Sequence, residues 1–388
     1  MIHGPHVDLY FYPEEAALAP GTLAYAEASY DTLALRFGYE ARTRVPIIIY
    51  ASHIDFEQTN LLPFVPPENL LGSTDFLKRR VALPFRGSVS EFRHTIRHEM
   101  VHVFQMGLES DSYYQMYQGS RVHFPLWWTE GLAEYWSAGQ DARDEMVLRD
   151  LTLNGTLPPI QQLTYVTSGI VYPLGGEIHR WLAGTYGEWR IALMYQEIAR
   201  HPTFEAAIKS VYGKSLEQLN AEFQLAMRRK YYPAADTHEP LAVAARPLAK
   251  LAIKPSYLPD TSGQTAGDAI YISPSSGYFS VYRKSLERTD DKPHRLVTAG
   301  RSGAIESFHP FDSRVDASRP GYLLLTTKRG DRDALLIWSL AEQKAVGRYE
   351  FEQLVAIRSP AWMPDGNSII FSGLAESGQA DLYRLTLP

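Results

Sequence analysis

Two short runs in the chain carry the residue types from which hydrolytic chemistry is built. The first is His98-Glu99-Met100-Val101-His102, an HExxH spacing inside SEFRHTIRHEMVHVFQ. On a helix, positions i and i+4 share a face, so both imidazoles can reach one ion. Glu99, beside them, is placed to take a proton from a water. The second run is Trp127-Trp128-Thr129-Glu130-Gly131-Leu132-Ala133-Glu134-Tyr135, which sets Glu130 and Glu134 four residues apart on an apolar helix. Two acids among tryptophans need a cation. The assignment that follows makes Glu130 a metal ligand and gives Glu134 the Nδ1 hydrogen of a ligating histidine, which fixes that ring's tautomer. Exchanged roles for the two glutamates are the alternative. Without a metal, the same histidines and His94 one turn earlier would form a polar stripe, a reading opposed by Ile96, Met100, Val103 and Phe104 on the same helix.

Composition narrows the chemistry. The 388 residues include no cysteine, which removes disulfides, thiolate metal sites and cysteine nucleophiles, so any metal must be held by His, Asp or Glu. With 38 basic and 44 acidic residues the formal charge is −6, which argues against nucleic acid as the principal partner. No apolar run is long enough for a membrane span, and MIHGPHVDLYFYP lacks the layout of a signal peptide. A periplasmic or extracellular location with the leader already removed is expected, or the cytoplasm if Met1 is the native start.

The elements that must position these residues divide the chain. An α+β domain is expected over 1–232, a Pro- and Ala-containing linker over 233–260 and an all-β region over 261–388. In the first, Val7 to Tyr12 and Val45 to Tyr50 read as strands and Gly21 to Phe37 as a helix. Arg80 to Phe85 reads as the second arm of a hairpin, and Pro84 puts it at a sheet edge. From Ser88 to about Lys230 the periodicity is helical, with Ser, Thr and Asp caps. In the last region SVYRKSL, ALLIWSL and DLYRLTL end on Leu286, Leu340 and Leu387, 54 and 47 residues apart, near the period of propeller blades. Three such units are too few to close a propeller.

Taken together, HEMVH followed by WWTEGLAEY resembles the gluzincin zinc peptidases, in particular bacterial peptidase MA-like domains that precede TolB-like β-propeller repeats. IIIYASHIDFEQTN at Ile47 to Asn60, Arg80 to Phe85, PLWWTEGLAEYW and SPAWMPDGNSIIFSG resemble that architecture in the same order. The interval from His102 to Glu130 is longer than in the aminopeptidase-type members. The resemblance implies a thermolysin-like catalytic domain and an incomplete propeller. It also implies Zn²⁺ held by His98, His102 and Glu130, with Glu99 as general base in peptide-bond hydrolysis. A tyrosine downstream of the third ligand is implied as oxyanion donor, here Tyr172, with His179 as the alternative. A peptide or protein substrate would add to an exposed strand by β-pairing, for which Arg80 to Phe85 is placed. Two rivals stand beside this reading. One is a catalytically silent interaction protein that binds partners through the propeller; the other is a hydrolase of non-peptide amides or esters.

Overall fold

The computed structural model describes the chain except for residues 51–54, 57–69, 76–78, 116–121, 138–140, 167, 236–238, 240, 289, 300–304, 311–312, 330–331, 376–378 and 388. The fold is α+β, with an N-terminal mixed sheet, a helical array and several separate small sheets. The N-terminal sheet contains β1 (Ile2–His3), β2 (Val7–Tyr10), β3 (Val45–Tyr50), β4 (Ser73–Thr74) and β5 (Val81–Pro84) in the order β1-β2-β3-β5-β4. Parallel pairing of β2 with β3 requires a crossover, which is α1 (Ala19–Phe37). Its Ala26, Tyr30, Leu33 and Phe37 are buried in one core with Val7, Leu9, Ile47 and Ile49.

The expected edge position of Arg80 to Phe85 is corrected by this order. β5 lies between β3 and β4, and all four of its residues are buried. Pro84 is accommodated because the two-residue β4 pairs only with Val81 and Ala82, while the neighbouring Phe85 N–H donates to Tyr50 O on the other side. The edge strand carrying polar Ser73 and Thr74 is β4.

Helices follow, and all but the short α5 are where the periodicity predicts them: α2 (Val89–Gln115), α3 (Leu126–Ser137), α4 (Ala142–Leu153), α5 (Ile160–Leu163), α6 (Val171–Tyr186), α7 (Trp189–Glu197), α8 (Phe204–Tyr212) and α9 (Leu216–Ala235). Asp141 and Thr203 cap α4 and α8 by accepting from the Asp144 and Ala206 amides. IQQL, in α5, was not foreseen, being a single turn. α9 runs through Pro233, so the helix reaches into the stretch expected as linker.

The tightest packing in the helical array is between α3 and α6. A Cβ placed on Gly131 would stand 2.3 Å from the Gly175 carbonyl carbon, and one on Gly175 would stand 2.2 Å from Trp127 O. Only hydrogen fits at either position, so the two backbones touch at this crossing.

The β-rich region begins inside the expected linker, at β6 (Ile253–Leu258). Pro255 obscures this strand in the sequence; it is tolerated because β6 is an edge strand with a register shift between Ile253 and Ser256. β6, β7 (Asp268–Ser273), β8 (Ser280–Ser285) and β9 (His294–Thr298) form one sheet. A second holds β10 (Tyr322–Arg329), β11 (Arg332–Ser339) and β12 (Lys344–Glu350), and a third β13 (Leu354–Trp362), β14 (Ser368–Ala375) and β15 (Ala380–Thr386). The repeat leucines occupy equivalent places: Leu286, Leu340 and Leu387 donate their N–H groups to the carbonyls of Gly267, Gly321 and Asn367. Side-chain clasps also recur, Ala317 N donating to Ser256 Oγ and Trp362 N to Asp316 Oδ2. Alternation along the middle sheet gives it two apolar faces. Leu323, Leu325 and Leu336 pack toward the first sheet, and Leu324, Leu335 and Ile337 toward the third. Buried Asp333 ties the second and third sheets by accepting from His309 Nε2, Ile357 N and Arg358. The sheets are stacked, with no closed propeller among the described residues.

Gly175→Ala is expected to lower stability by at least about 2 kcal/mol through overpacking at the α3–α6 crossing. Gly184→Ala, on the same helix with open space where its methyl would lie, should raise stability by up to about 1 kcal/mol. Equilibrium denaturation of the two variants checks the contrast.

Candidate metal centre

His98 and Glu99 are buried on α2, which is anchored by its opposite face, where Ile96, Met100, Val103 and Phe104 pack into the core. α3 crosses α2 and brings Glu130 to the two histidines. Glu130 Oε2 lies 3.3 Å from His98 Nε2 and 3.2 Å from His102 Nε2, and the two Nε2 atoms are 3.2 Å apart. Ligand atoms on a tetrahedral ion with bonds of about 2.1 Å are separated by about 3.4 Å, so this triangle has the size of one face of such a shell. A second trio, His94, His98 and Glu134, also clusters, but it shares His98 with the first.

The outer nitrogens explain which ring atoms face inward. His98 Nδ1 is 3.2 Å from Glu134 Oε1, and the other oxygen of Glu134 is 3.6 Å from His94 Nε2. His102 Nδ1 is 2.8 Å from Gln105 Oε1, whose amide is oriented because Gln105 Nε2 donates to Thr129 O at 3.0 Å. When each Nδ1 donates its hydrogen outward, each Nε2 presents a lone pair to the centre. Gln105 was not singled out in the sequence. Its signal was its place three residues after His102, on the same helical face.

Two lone pairs and a carboxylate oxygen converging at these distances favour a positive charge among them. The direction of every shift agrees. Burial opposes charge on His98, but the Glu130 and Glu134 carboxylates outweigh it and raise the imidazole to about 10. Burial would likewise raise Glu130 and Glu134, yet the neighbouring histidines hold Glu130 well below the usual carboxylate range and bring Glu134 to about 2. The donor set, two imidazole nitrogens and one carboxylate oxygen in a partly enclosed pocket, suits a borderline divalent ion.

Glu99 stands beside the triangle with Oε2 accepting from Thr74 Oγ1 at 2.6 Å, a bond from the polar edge strand β4. The strand comes this close because of Gly72: a Cβ there would lie 2.8 Å from Leu83 Cδ2, 2.9 Å from Thr95 Cγ2 and 3.1 Å from Glu99 Cγ. Tyr172, one turn before Gly175 on α6, lies with its ring 6.1 Å from that of His98 at 23°. Burial, followed by the Glu130, Glu99 and Glu134 charges, pushes its phenol well above the ordinary range, so it carries its hydrogen at neutral pH. His179 is not in this group. It is fully buried against Trp127 and Trp128 with Nδ1 on Gly175 O, and burial pushes it down to about 4. Its place as alternative oxyanion donor is therefore corrected: two turns of α6 carry it about 10 Å along the helix from Tyr172, to where Trp127 and Trp128 enclose it in the core.

A cavity of about 340 Å³ opens onto the triangle, lined by His98, Glu99, His102, Glu130 and Tyr172. It also receives Glu109 from farther along α2, a residue that sequence reasoning missed because no motif includes it. Burial raises the Glu109 acid to about 7.

Comparison with known proteins adds little to this geometry. No family model matches the chain, and no curated protein matches it. Among solved structures, the crystal structure of TolB from Acinetobacter baumannii is similar over 35% of this chain and 29% of that chain, at 16% identity and a TM-score of 0.25. A likeness of that size assigns neither fold nor function. The gluzincin resemblance of the two motifs has no counterpart in these comparisons.

Two outcomes follow from the geometry. Gln105→Leu removes the partner of His102 Nδ1 and is expected to weaken divalent-metal affinity about 10- to 100-fold in chelator competition, with secondary structure retained. For Glu109, a folded-state pKa of about 7 above the ordinary 4.5 means stability that is fully present below about 4.5 and lost as pH rises through about 7. Glu109→Gln should not suffer that loss. At pH 8 it should exceed the wild type by on the order of 1–3 kcal/mol in chemical denaturation, with no gain at pH 4.

Proposed function

We propose that this protein is a zinc-dependent hydrolase of peptide bonds, with His98, His102 and Glu130 as metal ligands and Glu99 as general base. The observation that carries the proposal is the 3.2–3.3 Å triangle of His98 Nε2, His102 Nε2 and Glu130 Oε2, with the Glu99 carboxylate alongside in one cavity. The gluzincin-like order of the motifs supports the same reading. A zinc ion bound there would polarise a carbonyl and acidify a water.

Each residue then has a task set by its position. Glu99, oriented by Thr74, takes the proton of the attacking water and passes it to the departing amine. Glu134 and Gln105 hold the Nδ1 hydrogens of His98 and His102, keeping both Nε2 lone pairs turned inward. Tyr172 remains protonated and so can donate its hydroxyl to the oxygen that gains charge as the carbonyl is attacked. The shortness of β4 leaves the sheet open beside the cavity among the described residues, the place at which an extended peptide would pair. No helix among the described residues is long and apolar enough to cross a membrane.

The test is metal analysis joined to turnover. Wild type should hold one zinc per chain and cleave a quenched-fluorescence peptide library. His98→Ala and Glu130→Ala should lose the metal, and Glu99→Gln should keep it while turnover falls about 10²–10⁴-fold. Tyr172→Phe should keep the metal and lower kcat about 10- to 10³-fold. Cleavage undiminished in Glu99→Gln rejects the mechanism, and metal retained by Glu130→Ala but lost by Glu134→Ala reverses the two glutamates.

A further inference from the structure

We propose that Glu109 is a specificity-determining residue that selects substrates bearing a basic side chain, lysine or arginine, close to the bond that is cut. The inference deepens the function proposed above and rests on it for the position of that bond.

Glu109 follows His102 by seven residues on α2, two helical turns, so it projects from the same face at about 10 Å along the axis. It reaches the same cavity as the candidate ligands. Its carboxylate has no hydrogen bond or ion pair among the described residues, although most of the side chain is enclosed. A carboxylate kept in that condition destabilises the folded protein above its pKa, since burial opposes the charge and nothing among the described residues offsets it. A cationic ligand would offset it.

The lining around it fits a basic side chain rather than a bare ammonium. Met106 and Phe124 line the same cavity and offer apolar wall for the methylenes of lysine or arginine, and the Glu109 carboxylate is there to meet the charged head. Three carboxylates, Glu99, Glu109 and Glu130, face the cavity, and no lysine or arginine lines it among the described residues. A divalent ion at the triangle would offset two of the three negative charges. The 10 Å offset along α2 also exceeds the distance of about 2.5 Å that standard bond lengths set between a peptide's terminal amine and its first carbonyl carbon. A side chain several bonds long spans it better.

The experiment is binding, measured apart from turnover. Zinc-loaded Glu99→Gln protein and the Glu99→Gln/Glu109→Gln double variant are titrated by fluorescence anisotropy with acetylated, amidated peptides. The peptides are identical except for one position that carries Lys, Arg or Gln. The Glu109 carboxylate is expected to give the Lys and Arg peptides at least about tenfold tighter binding than the Gln peptide, and the double variant should lose that preference. Glu109→Asp, which keeps the charge, should retain part of it, and thermal melting of each variant reports folding. Equal binding of all three peptides, or a preference that survives Glu109→Gln, overturns the proposal. A free-amine Gln peptide that outbinds its acetylated form in a Glu109-dependent way also overturns it, in favour of terminal-amine recognition. Turnover by wild type separates the two proposals. Basic peptides bound without cleavage sink the hydrolase and leave the recognition, whereas equal cleavage of basic and neutral peptides does the reverse.

Discussion

Electrostatic crowding at a buried point governs the N-terminal part of this protein. Two imidazole lone pairs and a carboxylate oxygen meet at 3.2–3.3 Å inside a largely apolar helix pair, where charge is poorly screened. Such an arrangement persists only with positive charge in its midst. The raised His98 and the lowered Glu130 and Glu134 are one fact seen from three groups: each side chain is tuned to favour a positive charge at their meeting point.

The surrounding fold serves this point through close backbone approaches. At the α3–α6 crossing, Gly131 and Gly175 let two helices touch, so the chain immediately after Glu130 is pinned and Tyr172 is carried to the His98 ring. At the sheet edge, Gly72 lets β4 lie against α2, which puts the Thr74 hydroxyl on Glu99. Both contacts act on orientation, which the proposed roles of Glu99 and Tyr172 would require.

The C-terminal sheets solve a different problem. A three- or four-stranded sheet with two apolar faces cannot stand alone in water, and here the middle sheet covers both faces with its neighbours. Repetition of the leucine amide bond and of the Ser256 and Asp316 clasps shows why the sequence period is visible at all: each unit must make the same closing contacts.

The sequence by itself determined what local spacing can encode. The i, i+4 pairs, the helical stretches with their Asp141 and Thr203 caps, and the recurring leucines were all legible, because neighbours along one helix or strand are fixed by its pitch. Misreadings came where a local rule met a tertiary exception. Pro84 looked like an edge residue but sits where β4 has already ended, and Pro255 hid an edge strand inside a supposed linker. Gln105, Thr74, Gly72 and Glu109 belong to no motif, so only the structure brings them to the cavity, and it also removes His179 into the core. Contacts between separate elements depend on how closely their backbones approach and at what angle. Side-chain volume at a few crossings decides that, and no periodicity along a single element records it.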